Sequence, residues 1–120
     1  MPDRRKKLLQ DVLDACAAIQ SFTQGRSLAE YGQNLMLRSA VERQFEIAGE
    51  ALRRLIASDL AVAQRTSGHP TIIAFRSIIA HGYDVLDNTV GWGVVEDNLP
   101  TLIAVARGVL DELRAAGRQP

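Results

Sequence analysis

Apolar residues recur along most of this chain at steps of three and four, the spacing of one face of an α-helix. The first stripe starts after Asp3 and stops at Gly25, because glycine tolerates the left-handed backbone that closes a helix. Its members are Leu8, Leu9, Val12, Cys16, Ile19 and Phe22. Ser27 and Glu30 then have the spacing of a capping box, which predicts the start of a short helix.

The longest stripe follows Asn34 and predicts a long helix that ends near Asp59. Its members are Leu35, Val41, Phe45, Ala48, Leu52, Leu55 and Ile56. Turn-forming residues at 66–70 predict a loop. Beyond it, Thr71 is placed to cap a helix that continues to residue 79, although a strand there is an alternative that would lack a partner strand.

The last stripe runs in helical register from Asn88 to about Ala116. Pro100 interrupts it and predicts a kink, because proline has no amide hydrogen to donate to the preceding turn. Four substantial helices joined by short loops predict an all-α fold, an antiparallel up-and-down bundle of four to five helices. We expect residues 1–120 to form one domain.

Composition limits the function more than the fold. The 14 basic residues balance the 14 acidic residues, so any contact with nucleic acid must be local. One cysteine, Cys16, excludes an intrachain disulfide, and without a secretory leader pattern the expected compartment is the cytoplasm. Cys16 should be buried, and Tyr31 and Trp92 should be anchors of the core or of a dimer interface rather than stacking platforms for bases.

The best candidate chemistry lies in residues 76–83, Arg-Ser-Ile-Ile-Ala-His-Gly-Tyr. His81 can exchange a proton at neutral pH, and Arg76 can bind a phosphate through two parallel hydrogen bonds. Together they could cleave a phosphodiester to a cyclic phosphate without a metal. An arginine and a histidine at this spacing are more often a surface charge and a capping histidine, so the spacing alone leaves both interpretations open.

The same segment resembles the signature of HepT-like toxins in the HEPN superfamily. The resemblance rests on Arg76-x4-His81-x-Tyr83, the following Asp84-Val-Leu-Asp87 and Trp92, the earlier Glu46-Ile-Ala-Gly49-Glu50, and Asn98-Leu-Pro100. It implies a HEPN-like helical bundle that forms a homodimer, in which two Arg-His motifs meet in one cleft. That cleft would act as a metal-independent endoribonuclease on RNA.

The resemblance also implies regulation by a partner. The partner would be an antitoxin, a small nucleotidyltransferase of the MntA type, and Tyr83 would accept AMP groups from ATP. The added bulk and negative charge would silence the cleft. Many relatives have asparagine directly after the motif arginine, whereas this chain has Ser77, which can also donate a hydrogen bond to phosphate.

Three glutamates, Glu42, Glu46 and Glu50, lie four residues apart and share one face of the long helix. Either they form a solvated stripe paired with nearby arginines, or Glu46 or Glu50 holds the motif arginine or histidine in place. A basic cluster at residues 4–7 is another surface feature, either an exposed polar helix start or a phosphate contact.

No metal and no cofactor are expected, because no cysteine or second histidine stands at ligand spacing and no Walker loop or dinucleotide fingerprint is present. A second hypothesis is a non-catalytic module that docks a nucleotidyltransferase and a nucleotide. The balanced charge favours it, since strong RNA binding usually relies on a cationic surface. In a third, the nucleotidyltransferase is the active partner and this chain its helper.

Overall fold

Helices make up the secondary structure of the computed structural model, which describes residues 4–66, 73 and 88–117. Those residues contain no strand, and the all-α prediction is confirmed. The elements are α1 (Arg4–Thr23), α2 (Leu28–Gln33), α3 (Leu35–Ser58), α4 (Leu60–Thr66), α5 (Asn88–Gly93), a π-helical turn (Val94–Asn98) and α6 (Leu99–Gly117). The loop predicted after Thr66 lies outside this part of the chain. Of the helix predicted over 71–79 only Ile73 is described, in helical conformation.

Two side-chain contacts show that α3 and α6 run antiparallel to α1. Arg5, in the first turn of α1, forms an ion pair with Asp59, which directly follows α3, at 2.7 Å. At the same end of the bundle Arg114, in the last turn of α6, donates to Gln10 at 3.3 Å. Three of the four predicted substantial helices therefore have the predicted antiparallel arrangement.

The core lies where the apolar faces of α1, α3 and α6 meet. Its largest fully buried side chains are Tyr31, Phe45, Leu9, Ile19, Leu52, Leu55, Leu99, Leu102, Leu110 and Val12. Cys16 is also fully buried, as predicted, and this burial raises the pKa of its thiol to about 12. A thiol with that pKa stays protonated and acts as a small apolar side chain.

Two members of the stripes predicted for α1 and α3 lie on the surface instead. The side chain of Phe22 is 37% exposed, because Thr23 takes the buried position at the end of α1. The Thr23 hydroxyl is satisfied there, since it donates to the carbonyl oxygen of Ile19 at 2.8 Å. Leu35 is 69% exposed at the first residue of α3, where the stripe has not yet reached the core.

The predicted helix boundaries around α2 are confirmed by their caps. Gly25 has a φ of +72°, the left-handed conformation expected after α1. The Ser27 hydroxyl accepts a hydrogen bond from the backbone N–H of Glu30 at 3.2 Å, which starts α2. Asn34 caps α3 in the same way, accepting from the backbone N–H of Leu37 at 3.0 Å.

Helix α4 was not predicted, although Asp59 carries its signal. The Asp59 carboxylate accepts from the backbone N–H of Val62 at 3.0 Å, so the residue that ends α3 also caps α4. This hydrogen bond, together with the ion pair to Arg5, lowers the pKa of the Asp59 carboxyl. An aspartate between two apolar runs therefore indicates a new helix here as well as the end of the previous one.

The helical stripe over residues 88–117 is interrupted at Pro100 by a change of helix type. The π-helical turn ends just before Pro100, and the backbone N–H of Leu99 donates to the carbonyl oxygen of Val94, five residues back. A π-turn widens the helix where the proline ring would otherwise meet the preceding turn. The kink predicted at Pro100 stays a prediction, and the observed irregularity is this π-turn directly before Leu99.

Candidate functional site

The predicted catalytic residues Arg76 and His81, with Ser77 and the predicted modification site Tyr83, lie outside the described residues. The structure does describe the helices on both sides of them. Arg65 in α4 forms an ion pair with Glu112 near the end of α6. The described residues include the predicted supporting glutamates, Glu46 and Glu50, and the surfaces around them.

The glutamate face of α3 is a stripe of ion pairs within one helix. Glu46 accepts from Arg43 at 3.1 Å, and Glu50 accepts from Arg53 at 2.7 Å and from Arg54 at 2.9 Å. The two hydrogen bonds to Glu50 lower the pKa of its carboxyl to about 2. The described partners of these two glutamates support the interpretation that they form a solvated stripe.

Glu42, at the start of the same stripe, has a different environment. Partial burial raises the pKa of its carboxyl, and the nearby Arg38 opposes that change. Arg38 itself donates to the carbonyl oxygens of Tyr31 and Gly32, the former at 3.3 Å, so it closes the end of α2. Arg38 therefore ties α2 to α3 rather than pairing closely with Glu42.

A groove of about 250 Å³ runs between α1 and the charged stripe of α3. Asp11 of α1 lines it together with Arg43, Glu46, Glu50 and Arg54. The lining carries three carboxylates and two guanidinium groups, and each of these arginines already pairs with a glutamate of the same helix, so the groove presents no excess of positive charge. The basic cluster at the start of α1 is similar: Arg5 pairs with Asp59 and Lys7 with Asp11, as in an exposed polar helix start.

Two aromatic side chains join α2 to α5. The Tyr31 ring is fully buried and the Trp92 side chain is 8% exposed, with ring centroids 5.4 Å apart and an interplanar angle of 44°. Both act as core anchors, as predicted. Burial, aided by the charge of Glu42, raises the pKa of Tyr31 to about 12. Its hydroxyl has no hydrogen-bond partner among the described residues.

A larger cleft, of about 630 Å³, opens beside Trp92 between the end of α1 and the π-turn. Its polar side chains come from two distant parts of the sequence: Gln20, Ser21, Gln24 and Arg26 at one side, and Glu96 at the other. The Trp92 indole N–H donates to Glu96 Oε1 at 2.6 Å. This cleft was not predicted, because the spacing of Trp92 and Glu96 by one helical turn is its only local signal in the sequence.

A match to one protein family covers most of the chain. The sequence model of the ribonuclease HepT-like family matches residues 12–109. The chain belongs to this family. The resemblance stated from the motif is thereby confirmed, and the all-α architecture is that expected of a HEPN-like fold.

This HepT-like chain is also similar to a curated protein of Methanocaldococcus jannaschii that is named "Putative RNase MJ1380". The two are 30% identical over 97 residues, which cover 81% of this chain and 88% of that protein. No solved structure matches the chain significantly. Across the described ranges 4–66 and 88–117, no helix is long and apolar enough to cross a membrane.

Proposed function

We propose that this HepT-like chain is a metal-independent endoribonuclease, the toxin of a HepT/MntA-type toxin–antitoxin pair, with Arg76 and His81 as its catalytic residues. The observation that carries the proposal is the family match, because the matched range 12–109 includes the whole Arg76-x4-His81-x-Tyr83 motif. The relative from Methanocaldococcus jannaschii, itself named as an RNase, supports the same reaction class.

In the proposed reaction His81 accepts the proton of a ribose 2′-hydroxyl, and the 2′-oxygen attacks the adjacent phosphorus. Arg76 stabilises the negative charge that develops on the phosphoryl oxygens, and Ser77 donates a further hydrogen bond. The bond from phosphorus to the 5′-oxygen breaks, and that oxygen takes a proton. The products are a 2′,3′-cyclic phosphate and a 5′-hydroxyl.

A homodimer would supply both proton transfers. If two copies place their Arg-His motifs in one cleft, one histidine can accept the 2′-proton while the other protonates the leaving oxygen. Of the supporting glutamates, Glu46 is better suited than Glu50 to orient a motif side chain. Among the described residues Glu50 already accepts from two arginines, whereas Glu46 pairs with Arg43 through its Oε2 atom.

The test is cleavage of defined single-stranded RNAs by the purified protein with EDTA present. Wild type should cleave, and His81→Ala and Arg76→Ala should not. The chain offers matched controls, because His69 is its other histidine and Arg107 is an exposed arginine of α6. His69→Ala and Arg107→Ala should cleave like wild type. Cleavage by His81→Ala would overturn the assignment, and a folded wild type without activity would favour the non-catalytic docking module.

Regulation by adenylylation is part of the same proposal. The Tyr83 oxygen would attack the α-phosphate of ATP in the active site of the MntA-type partner, forming a phosphodiester and releasing pyrophosphate. The chain has two tyrosines, and the full burial of Tyr31 leaves Tyr83 as the candidate acceptor. Incubation with the partner and ATP should add AMP to wild type and abolish cleavage, whereas Tyr83→Phe should gain no mass. Modification of Tyr83→Phe would refute this site.

A further inference from the structure

The cleft beside Trp92 is open to solvent and is lined by both apolar and polar side chains. Small-molecule sites in proteins are typically about 300–1,000 Å³ and combine apolar walls with a few placed polar groups, and this cleft of about 630 Å³ has both. We infer that it is a base-specificity subsite for the RNA substrate, which takes an unpaired nucleobase and prefers guanine. The inference rests on the proposed ribonuclease function for its substrate class.

Glu96 is the group that would select the base. Its Oε1 atom accepts the Trp92 indole N–H at 2.6 Å, which orients the carboxylate. In the part of the chain that the structure describes, no partner hydrogen-bonds to Oε2. A carboxylate accepts best from two adjacent N–H groups, and guanine presents these on its Watson–Crick edge, where unpaired RNA bases are usually recognised.

The other bases match this carboxylate less well. Cytosine and adenine each present one exocyclic amino group to it. Uracil presents a single N–H between two carbonyl oxygens, which the negative charge of Glu96 repels. The expected order of binding is therefore guanine first, cytosine and adenine next, and uracil last.

The remaining polar side chains suit the rest of a nucleotide. The amides of Gln20 and Gln24 both donate and accept, so they can bind the acceptor atoms of a purine. Arg26 can bind the phosphate, since its ion pair with Glu30 is long, at 3.6 Å, and exposed, and such pairs contribute little. Arg26 also disfavours the main alternative, a basic peptide side chain on Glu96, because the two cations would repel.

The core holds the selecting group in place. Trp92 is packed on the buried ring of Tyr31, and Glu96 lies one turn further along, in the π-turn. π-turns within helices occur frequently at functional sites. A carboxylate fixed by a buried indole is oriented before the ligand arrives, which reduces the ordering that binding requires.

Ligand binding at this cleft can be measured by fluorescence, because Trp92 is the only tryptophan of the chain. Its fluorescence would be followed during titration of the wild type, in EDTA, with the 5′-monophosphates of guanosine, cytidine, adenosine and uridine. The guanosine nucleotide should give a saturable change at the lowest concentration, and the uridine nucleotide should give none. Glu96→Gln should weaken binding of the guanosine nucleotide by about tenfold or more, since loss of a bidentate contact has that effect.

Asp97→Asn is the matched control, because Asp97 is an exposed acid on the same π-turn that does not line the cleft. It should bind like wild type. Isothermal titration calorimetry measures the same affinities without relying on Trp92 fluorescence. A change in the Trp92 signal of Glu96→Gln therefore cannot be mistaken for a loss of binding. Equal binding of all four nucleotides, or an unchanged affinity in Glu96→Gln, would overturn the inference.

His81→Ala separates this inference from the proposed function. This variant should bind the guanosine nucleotide like wild type whether or not the wild type cleaves RNA. Cleavage by the wild type without any nucleotide response would overturn the subsite and leave the ribonuclease in place. A response to acetylarginine amide with none to nucleotides would also overturn it and identify the cleft as a site for a basic peptide.

Discussion

The buried hydroxyl of Tyr31 gives a prediction about stability that depends on a single atom. The side chain is fully buried, and its oxygen has no hydrogen-bond partner among the described residues. An unsatisfied buried polar group destabilises a protein by about 1–3 kcal/mol. Tyr31→Phe removes the oxygen and keeps the ring, including its contact with Trp92 at 5.4 Å. We therefore expect the variant to be more stable than wild type by about 1 kcal/mol.

Urea unfolding followed by circular dichroism measures this change, and thermal unfolding should show an increase in Tm of roughly 4 °C. Tyr31→Leu is the control, since it removes the aromatic contact as well as the hydroxyl and should destabilise the protein. If Tyr31→Phe lowers the free energy of unfolding by about 1 kcal/mol or more, the hydroxyl has a partner and the argument is wrong.

The pH dependence gives a second check on Tyr31. Its pKa is raised to about 12 in the folded protein, above the usual value of about 10, so the folded state holds the proton more tightly than the unfolded state. The contribution of the protonated Tyr31 to the free energy of unfolding is therefore complete below about pH 10 and is lost as the pH rises towards about 12. Wild type should therefore lose more stability over that interval than Tyr31→Phe. Parallel profiles would refute the assignment.

Three further outcomes follow from local features. Gly25→Ala should destabilise the protein by about 1–2 kcal/mol in urea unfolding, because the φ of +72° is strained for alanine although no atom lies near the new methyl group; an unchanged midpoint would contradict this. Because the pKa of Asp59 is lowered in the folded protein, its carboxylate contributes fully to the free energy of unfolding above about pH 4, and this contribution is lost on further acidification. Asp59→Asn should therefore lose less stability in acid than wild type. Binding of single-stranded RNA to His81→Ala, followed by anisotropy across a salt series, should have a shallow slope of about −1 to −3, as for a few phosphate contacts; a slope of about −6 would mean that the ion-paired arginines also bind phosphate.

Most of the fold was predictable because its signals are local. Helical spacing and the Ser27 cap gave α1, α2 and α3 within a few residues of the observed boundaries. The two misplaced stripe residues have a shared cause, since Phe22 and Leu35 have the correct spacing but lie at helix ends, where neighbouring elements decide which side chains are covered. A periodic pattern identifies the face of a helix, but not the point along it where the core stops.

The two candidate sites differ in whether their residues are close together in the sequence. Arg76, His81 and Tyr83 could be predicted because they are close together in sequence and resemble the signature of a family, although they lie outside the described residues. The cleft could not, because Gln24 and Glu96 meet only when the π-turn packs beside the end of α1. No pattern in either segment predicts the other, so such a site becomes visible only in three dimensions.

Charge placement explains how a protein with a net charge of zero can act on RNA. On α3, the arginines at positions 43, 53 and 54 each pair with a glutamate of the same helix, so that long face offers phosphate no free cation. For the proposed ribonuclease, affinity would then come from a few directed contacts rather than from this face of α3. Arg76 at the scissile phosphate and Arg26 beside a bound base would be two such contacts. A shallow salt dependence combined with base preference is the behaviour that this arrangement requires, and a steep dependence without preference would exclude it.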